Sequence, residues 1–157
     1  MMKSHYDCMI HHKLLKTDII KGPVLDLKLL GYHERDLTDE IPYYCFQILL
    51  ANQVIGKITL RIGFSEMTYI HGHVGYGIDE AYRGNNYSYY ALEMIKDLAR
   101  KHGYRKLLLT TDSRNEQSKR TVLKSSGKPI EIDRLVPKDH IYYVLGIERL
   151  NVYEISL

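Results

Sequence analysis

The sequence predicts an α/β (α+β) fold, a mixed and mostly antiparallel twisted sheet of about six or seven strands flanked by helices. Three observations carry that reading. Residues 42–62 hold two β-rich runs around a short turn, the pattern of an antiparallel hairpin. Residues 85–102 place Ala91, Leu92, Ile95, Leu98 and Ala99 at helical spacing. Residues 105–112, Arg-Lys-Leu-Leu-Leu-Thr-Thr-Asp, form the continuous apolar run of a buried strand that lies parallel to a neighbour.

Composition bounds the rest. With 157 residues and 45% hydrophobic content, one domain over 1–157 is expected, residues 1–21 forming an N-terminal arm or helix. The net charge of +3 comes without a Lys/Arg run, which suits an anionic ligand and argues against a nucleic-acid module despite the basic pI. Cys8 and Cys45 lack paired spacing, so neither a disulfide framework nor a cysteine zinc site is expected, and a reducing cytoplasmic setting follows. No apolar run reaches about 18 residues, so no membrane association is expected. His5, Cys8, His11 and His12 are ligand types without a metal-binding spacing, and no metal is expected. The 14 tyrosines, against no Trp and two Phe, read as half-buried strand residues.

Taken in order, Gly22-Pro23 breaks the chain and Val24–Leu30 alternates as the first strand. Residues 33–40 are a polar loop whose Glu34, Asp36, Asp39 and Glu40 could attract a cationic amine. Pro42–Leu50 and Val54–Ile62 make the hairpin. Thr68–Ile78 reads as one strand, with Val74, Tyr76 and Ile78 on one face and Gly72, Gly75 and Gly77 marking a bulge or a close approach. The turn Arg83-Gly84-Asn85-Asn86 leads into the principal helix, which Gly103 ends. After the buried strand, Asn115 opens a second helix that runs to Gly127, with Ser113 or Asn115 as its cap. Lys128–Val136 is a strand, 137–146 an irregular connection, and Asn151–Leu157 a final strand. An edge position for that last strand leaves a homodimer open.

The turn at 83–86 carries the chemistry. A helix start offers up to four unpaired N–H donors and the positive end of the macrodipole, a ready anion site whose usual occupant is phosphate. Asn86 is the side chain best able to accept the left-handed backbone that such a turn needs.

Arg83-x-x-Asn86-x-Ser88 resembles the pyrophosphate loop of the GNAT acyltransferase superfamily, with Asn86 where Gly is usual and Ser88 where Gly or Ala is usual. Asn115 and Ser118 match the polar Asn-x-x-Ser/Ala that heads the second helix in that family. The two halves span roughly residues 42–127, and the chain resembles a small subset of bacterial acetyltransferases with an Arg-Gly-Asn loop and a Pro-x-Asp/His stretch near the end. The resemblance implies acetyl-CoA as cosubstrate, held by Tyr76, Gly77, Ile78, Arg83, Gly84, Asn85, Asn86, Tyr87, Ser88, Asn115 and Ser118. It also implies a central parallel pair of strands that splay to admit the pantetheine arm.

The implied reaction is transfer of an acetyl group to a primary amine, on a small molecule or a peptide, by direct attack in a ternary complex. An amine with a pKa of about 10.4 must lose a proton, and a thiolate with a pKa of about 8.5 must gain one. A backbone N–H near Tyr76–Ile78 would stabilise the oxyanion. Relatives place a general-acid tyrosine seven residues after the Asn, and this chain has Val122 there. Tyr142, Tyr143 and His73 are the catalytic candidates; Tyr153 and His71, the latter sharing a strand face with His73, stand beside them. The missing tyrosine also supports a second reading, a CoA-binding sensor or pseudoenzyme without turnover.

Overall fold

In the computed structural model, which describes residues 5–33 and 41–157, the chain builds two hydrogen-bonded sheets. The first is an antiparallel meander in chain order, β1 (Ile19–Ile20), β2 (Asp26–His33), β3 (Tyr43–Leu50), β4 (Gln53–Arg61) and β5 (Val74–Ile78). The second is β6 (Lys106–Asp112), β7 (Lys128–Leu135) and β8 (Arg149–Ser156), antiparallel in the order β6-β8-β7. Among the described residues four α-helices accompany them: α1 (Thr68–His71), α2 (Tyr87–Lys101), α3 (Glu116–Lys124) and α4 (Ile141–Val144). The described residues thus hold eight strands, one more than the upper expectation, because the arm itself supplies β1. The C-terminal strand β8 lies in the middle of its sheet. The expected route to a homodimer through a C-terminal edge strand is therefore closed. The acidic positions Glu34, Asp36, Asp39 and Glu40 lie outside the described residues.

Local chemistry explains the elements. Ala51 (φ 49°) and Asn52 (φ 69°) are both left-handed, the requirement of a two-residue type I′ turn, and they fix the β3–β4 register. Helix α2 buries Ala91, Leu92, Ile95, Leu98 and Ala99, the predicted stripe. That stripe joins Phe46, Ile48, Ile58 and Leu60 of the first sheet and Leu107 and Ile155 of the second in one core. Each of the Leu, Ile and Phe side chains contributes roughly 1.5–3 kcal/mol on burial, so the two sheets are welded by apolar packing on one side.

The stretch 68–78 departs from its sequence reading. Thr68–His71 is a helical turn, and only Val74–Ile78 is strand. Thr-Tyr-Ile-His has β-type composition, but Ser65 N–H donates to Thr68 Oγ1 at 3.0 Å and Thr68 N–H returns to Ser65 O at 3.0 Å, which bends the chain into the turn. Gly72 (φ +69°) then ends it against β6, where a Cβ would meet Leu108 O and Thr110 N at 3.1 Å. His71 and His73 consequently do not share a strand face. His71 closes α1, and its Nε2 lies 3.0 Å from Nε2 of the buried His140.

His73 joins the two sheets. Its backbone N–H donates to Leu108 O at 2.7 Å, and Leu108 N–H donates back to His73 Nδ1 at 2.9 Å. With Nδ1 accepting, Nε2 carries the proton and donates to Gly63 O at 3.0 Å. The side chain is fully buried. A second proton would face the Leu108 donor, and burial pushes the imidazole down from its ordinary 6.5 to about 4.

The N-terminal arm is irregular up to β1 and packs on the domain. Tyr6 donates to Glu154 of β8 at 2.6 Å, Cys8 is fully buried, and Ile10 N–H donates to His102 O at 3.0 Å. His102 Nδ1 donates to His11 O at 2.7 Å, which leaves Nε2 to accept from Tyr44 at 2.7 Å. The Tyr44 oxygen in turn accepts Leu15 N–H at 2.6 Å. This chain of bonds satisfies each of its buried polar groups.

The depressed His73 pKa has a defined consequence. Between pH 6.5 and 4 the unfolded chain takes up a proton that the folded chain refuses, so stability is complete above 6.5 and falls toward 4. The expected loss is on the order of 3 kcal/mol. Urea unfolding midpoints measured across that range should fall with acidity, and a His73→Gln variant should show a shallower fall from a lower starting stability.

Candidate active site

Beyond the His73–Leu108 junction, β5 and β6 share no ladder; β5 pairs with β4 and β6 pairs with β8. Both strands run away from that junction toward the heads of α2 and α3. They are therefore parallel, and they diverge. Along β5, Asp79 N–H turns to β4, donating to Ile55 O at 2.8 Å, and Gly75 O accepts from Thr59 Oγ1 on the same side. By strand alternation the amides of Tyr76 and Ile78 point the other way, into the gap.

At the open end the chain makes a single 3-10 turn, Glu80–Tyr82, and enters the loop before α2. Gly84 (φ +87°) and Asn86 (φ +62°) both take left-handed backbone, a conformation that glycine and asparagine reach most readily. Arg83 Nε donates to Ile78 O at 2.9 Å, and Asn85 Nδ2 donates to Tyr82 O at 3.1 Å. The loop is braced by its own side chains while no side chain caps the α2 amides. Those donors, at the positive end of a 15-residue helix, form an anion cradle.

Two adjoining cavities lie beside it. One, about 360 Å³, reaches from Arg83–Ser88 to the flank of α3. The other, about 260 Å³, extends along Tyr76, Gly77 and Ile78 to Asn115 and Ser118. Ile78, Arg83 and Ser88 line both, so the two are one groove running from the loop into the gap between β5 and α3. At Gly77 and at Gly84 an added Cβ would meet nothing within 4 Å, as expected where a ligand approaches the backbone. Every sequence-derived cofactor position except Asn85 lines this groove; Asn85 instead spends its side chain on the loop.

The head of α3 is built as expected. Asn115 Oδ1 accepts Ser118 N–H at 3.0 Å and caps the helix. The Tyr76 hydroxyl crosses the gap to lie 3.0 Å from Ser118 Oγ. Burial raises its pKa, a shift that the bond from Ser118 only partly offsets. Val122 is fully buried and offers no hydroxyl.

The catalytic candidates fare differently. His73 has both ring nitrogens engaged with backbone and no exposure, so it has no lone pair with which to take a substrate proton. Tyr142 and Tyr143 sit on α4 in a second apolar cluster with Ile70, Val136 and Leu150, and neither lines the groove. What sequence reasoning missed is the wall on α3. Gln117, Arg120, Thr121 and Lys124 face the cavity together, and their i, i+3, i+4, i+7 spacing is a polar helical stripe that could have been seen.

The family model described as "Acetyltransferase (GNAT) family" matches residues 16–127 of this sequence. The chain belongs to that family. The fold of this GNAT chain is that of solved acetyltransferases. The Salmonella typhimurium acetyl transferase described as modifying the N-terminal serine of 50S ribosomal subunit protein L7/L12 superposes with a TM-score of 0.65 at 12% identity, over 89% of this chain and 99% of that one. RimL, a ribosomal L7/L12 alpha-N-protein acetyltransferase in complex with coenzyme A, gives 0.59 at 15% identity over 73% of this chain, which covers 62% of RimL. The microcin C7 self-immunity acetyltransferase MccE, in complex with acetyl-CoA and AMP, gives 0.58 at 13% identity over 73% and 61%. No curated protein matches the sequence.

The groove geometry makes Gly77 a clean probe. A Cβ added at Gly77 meets no protein atom within 4 Å, and a Gly77→Val side chain would extend from it at the lining of the cavity, so thermal unfolding should stay within about 1 kcal/mol of the parent. Binding of CoA, followed by calorimetry, should be lost.

Proposed function

We propose that this GNAT chain is an acetyl-CoA-dependent N-acetyltransferase that carries an acetyl group to a primary amine by direct attack in a ternary complex. The observation that carries it is the groove itself, an uncapped helix start with left-handed Gly84 and Asn86 that opens into the gap between β5 and α3, on the side where β5 and β6 have parted. A diphosphate fits the amide cradle, and an extended thioester arm fits the gap, where the Tyr76 and Ile78 amides supply donors for a developing oxyanion. Two structural neighbours are described as acting on a ribosomal protein's α-amine, so a peptide α-amine is the first acceptor to test, with small-molecule amines beside it. No helix among the described residues is long and apolar enough to cross a membrane, and both cysteines are free. These features support a cytoplasmic enzyme.

Proton transfer falls to groups that line the groove. The departing thiolate needs a proton, and Tyr76, protonated by virtue of its raised pKa and hydrogen-bonded to Ser118, is the donor we assign. Tyr76 replaces from the strand what Val122 lacks on the helix. With His73 sealed into the junction, the proton on the amine leaves through water or through the acceptor's own surroundings.

The buried Val122 favours one alternative, a CoA-binding sensor. Thiol release from acetyl-CoA in the presence of a peptide and amine panel separates the two readings: micromolar CoA binding without release would identify the sensor. For the enzyme, Tyr76→Phe should lower kcat by about 10²-fold while the CoA dissociation constant stays within about threefold, a binding change under 1 kcal/mol. An unchanged kcat would remove Tyr76 from the proton path.

A further inference from the structure

The outer half of the groove carries more positive charge than a diphosphate needs. Arg120 and Lys124 stand one turn apart on α3 and line the cavity of about 360 Å³ opposite Arg83 and Gly84. Like charges at this spacing repel, and neither side chain has a carboxylate partner among the described residues. The surrounding cations contrast with them. Lys96 pairs with Glu93, Arg100 with Asp97 at 2.6 Å, and Lys119 with Glu116 at 2.8 Å. The Lys124 ammonium is held 4.6 Å above the Tyr89 ring, a contact that fixes the side chain without neutralising it.

We propose that Arg120 and Lys124 form a subsite for the phosphomonoester at the nucleotide end of the acyl carrier, so that the chain selects the 3′-phosphorylated carrier over its dephosphorylated form. The inference rests on the placement of the diphosphate at Arg83–Ser88. The two diphosphate charges are met by the α2 amides and Arg83, which leaves two cations for one further anion. A phosphomonoester carries about −1.5 to −2 charge at neutral pH and three acceptor oxygens. A guanidinium grips such a group bidentately, and an ammonium serves as a point charge beside it. A phosphodiester, with half that charge and two free oxygens, is the poorer match.

Calorimetric titration with CoA and with dephospho-CoA tests this on the whole chain, in the parent and in an Arg120→Ala/Lys124→Ala variant whose exposed side chains hold no part of the core. The parent should bind CoA about tenfold or more tighter than dephospho-CoA, and raised salt should narrow that gap. The variant should bind both ligands alike, at the parent's affinity for dephospho-CoA. Arg120→Lys should fall between. Equal affinity of the parent for both ligands, or an equal weakening of both in the variant, overturns the subsite while leaving the diphosphate cradle standing. Binding of neither ligand by the parent overturns the acyl-carrier reading, and the subsite with it.

Discussion

One imidazole decides where the two sheets meet and where they part. At the start of β5, His73 offers a backbone N–H to Leu108 O and a side-chain lone pair to Leu108 N–H. Leu108 thus has both of its backbone groups satisfied by a single residue. No further ladder is demanded of β5 along β6, and from that point the strands separate. The gap would be costly if its amides were buried without partners, so the geometry suits a ligand that supplies acceptors. The second hydrogen bond of the ring, to Gly63 O, ties the junction to the end of β4. Opening the sheet and holding it together are therefore tasks of the same side chain.

Much of the groove was legible from residue chemistry. Gly84 and Asn86 are the residue types that accept left-handed backbone, and both take it. Asn115 is a cap by type and by fact. The α2 stripe was plain in its spacing. The failures share a cause: tertiary contacts overrode local preference. Thr68–His71 has extended-type composition, but the reciprocal Ser65–Thr68 hydrogen bonds and the close approach of Gly72 to β6 hold it as a helical turn. His73 read as a titrating group because sequence does not reveal that both nitrogens meet backbone partners, one of them 35 positions away. The last strand read as an edge, yet β7 bypasses β6 to leave β8 in the middle. Chain order does not dictate such an insertion.

Tyr76 illustrates how a hydroxyl can reach the same space from a different element. A hydroxyl near the head of α3 is reachable from α3 itself or from across the gap. Val122 surrenders the first route to the core. Tyr76 takes the second, reaching Ser118 from β5. Because period-two alternation puts its amide toward the same gap, one residue presents an N–H and an O–H to the same space.

Lys96 lies on α2 well away from the groove, nearly buried, donating to Ser125 O at 3.0 Å and paired with Glu93, whose carboxylate also accepts from Ser125 Oγ at 2.7 Å. This three-residue knot fastens the middle of α2 to the end of α3, the two helices that supply opposite walls of the groove. A wall pair locked in advance has little freedom left to surrender when a flexible, many-bonded guest settles between its faces. The entropic toll of association then falls on the guest and not on the host.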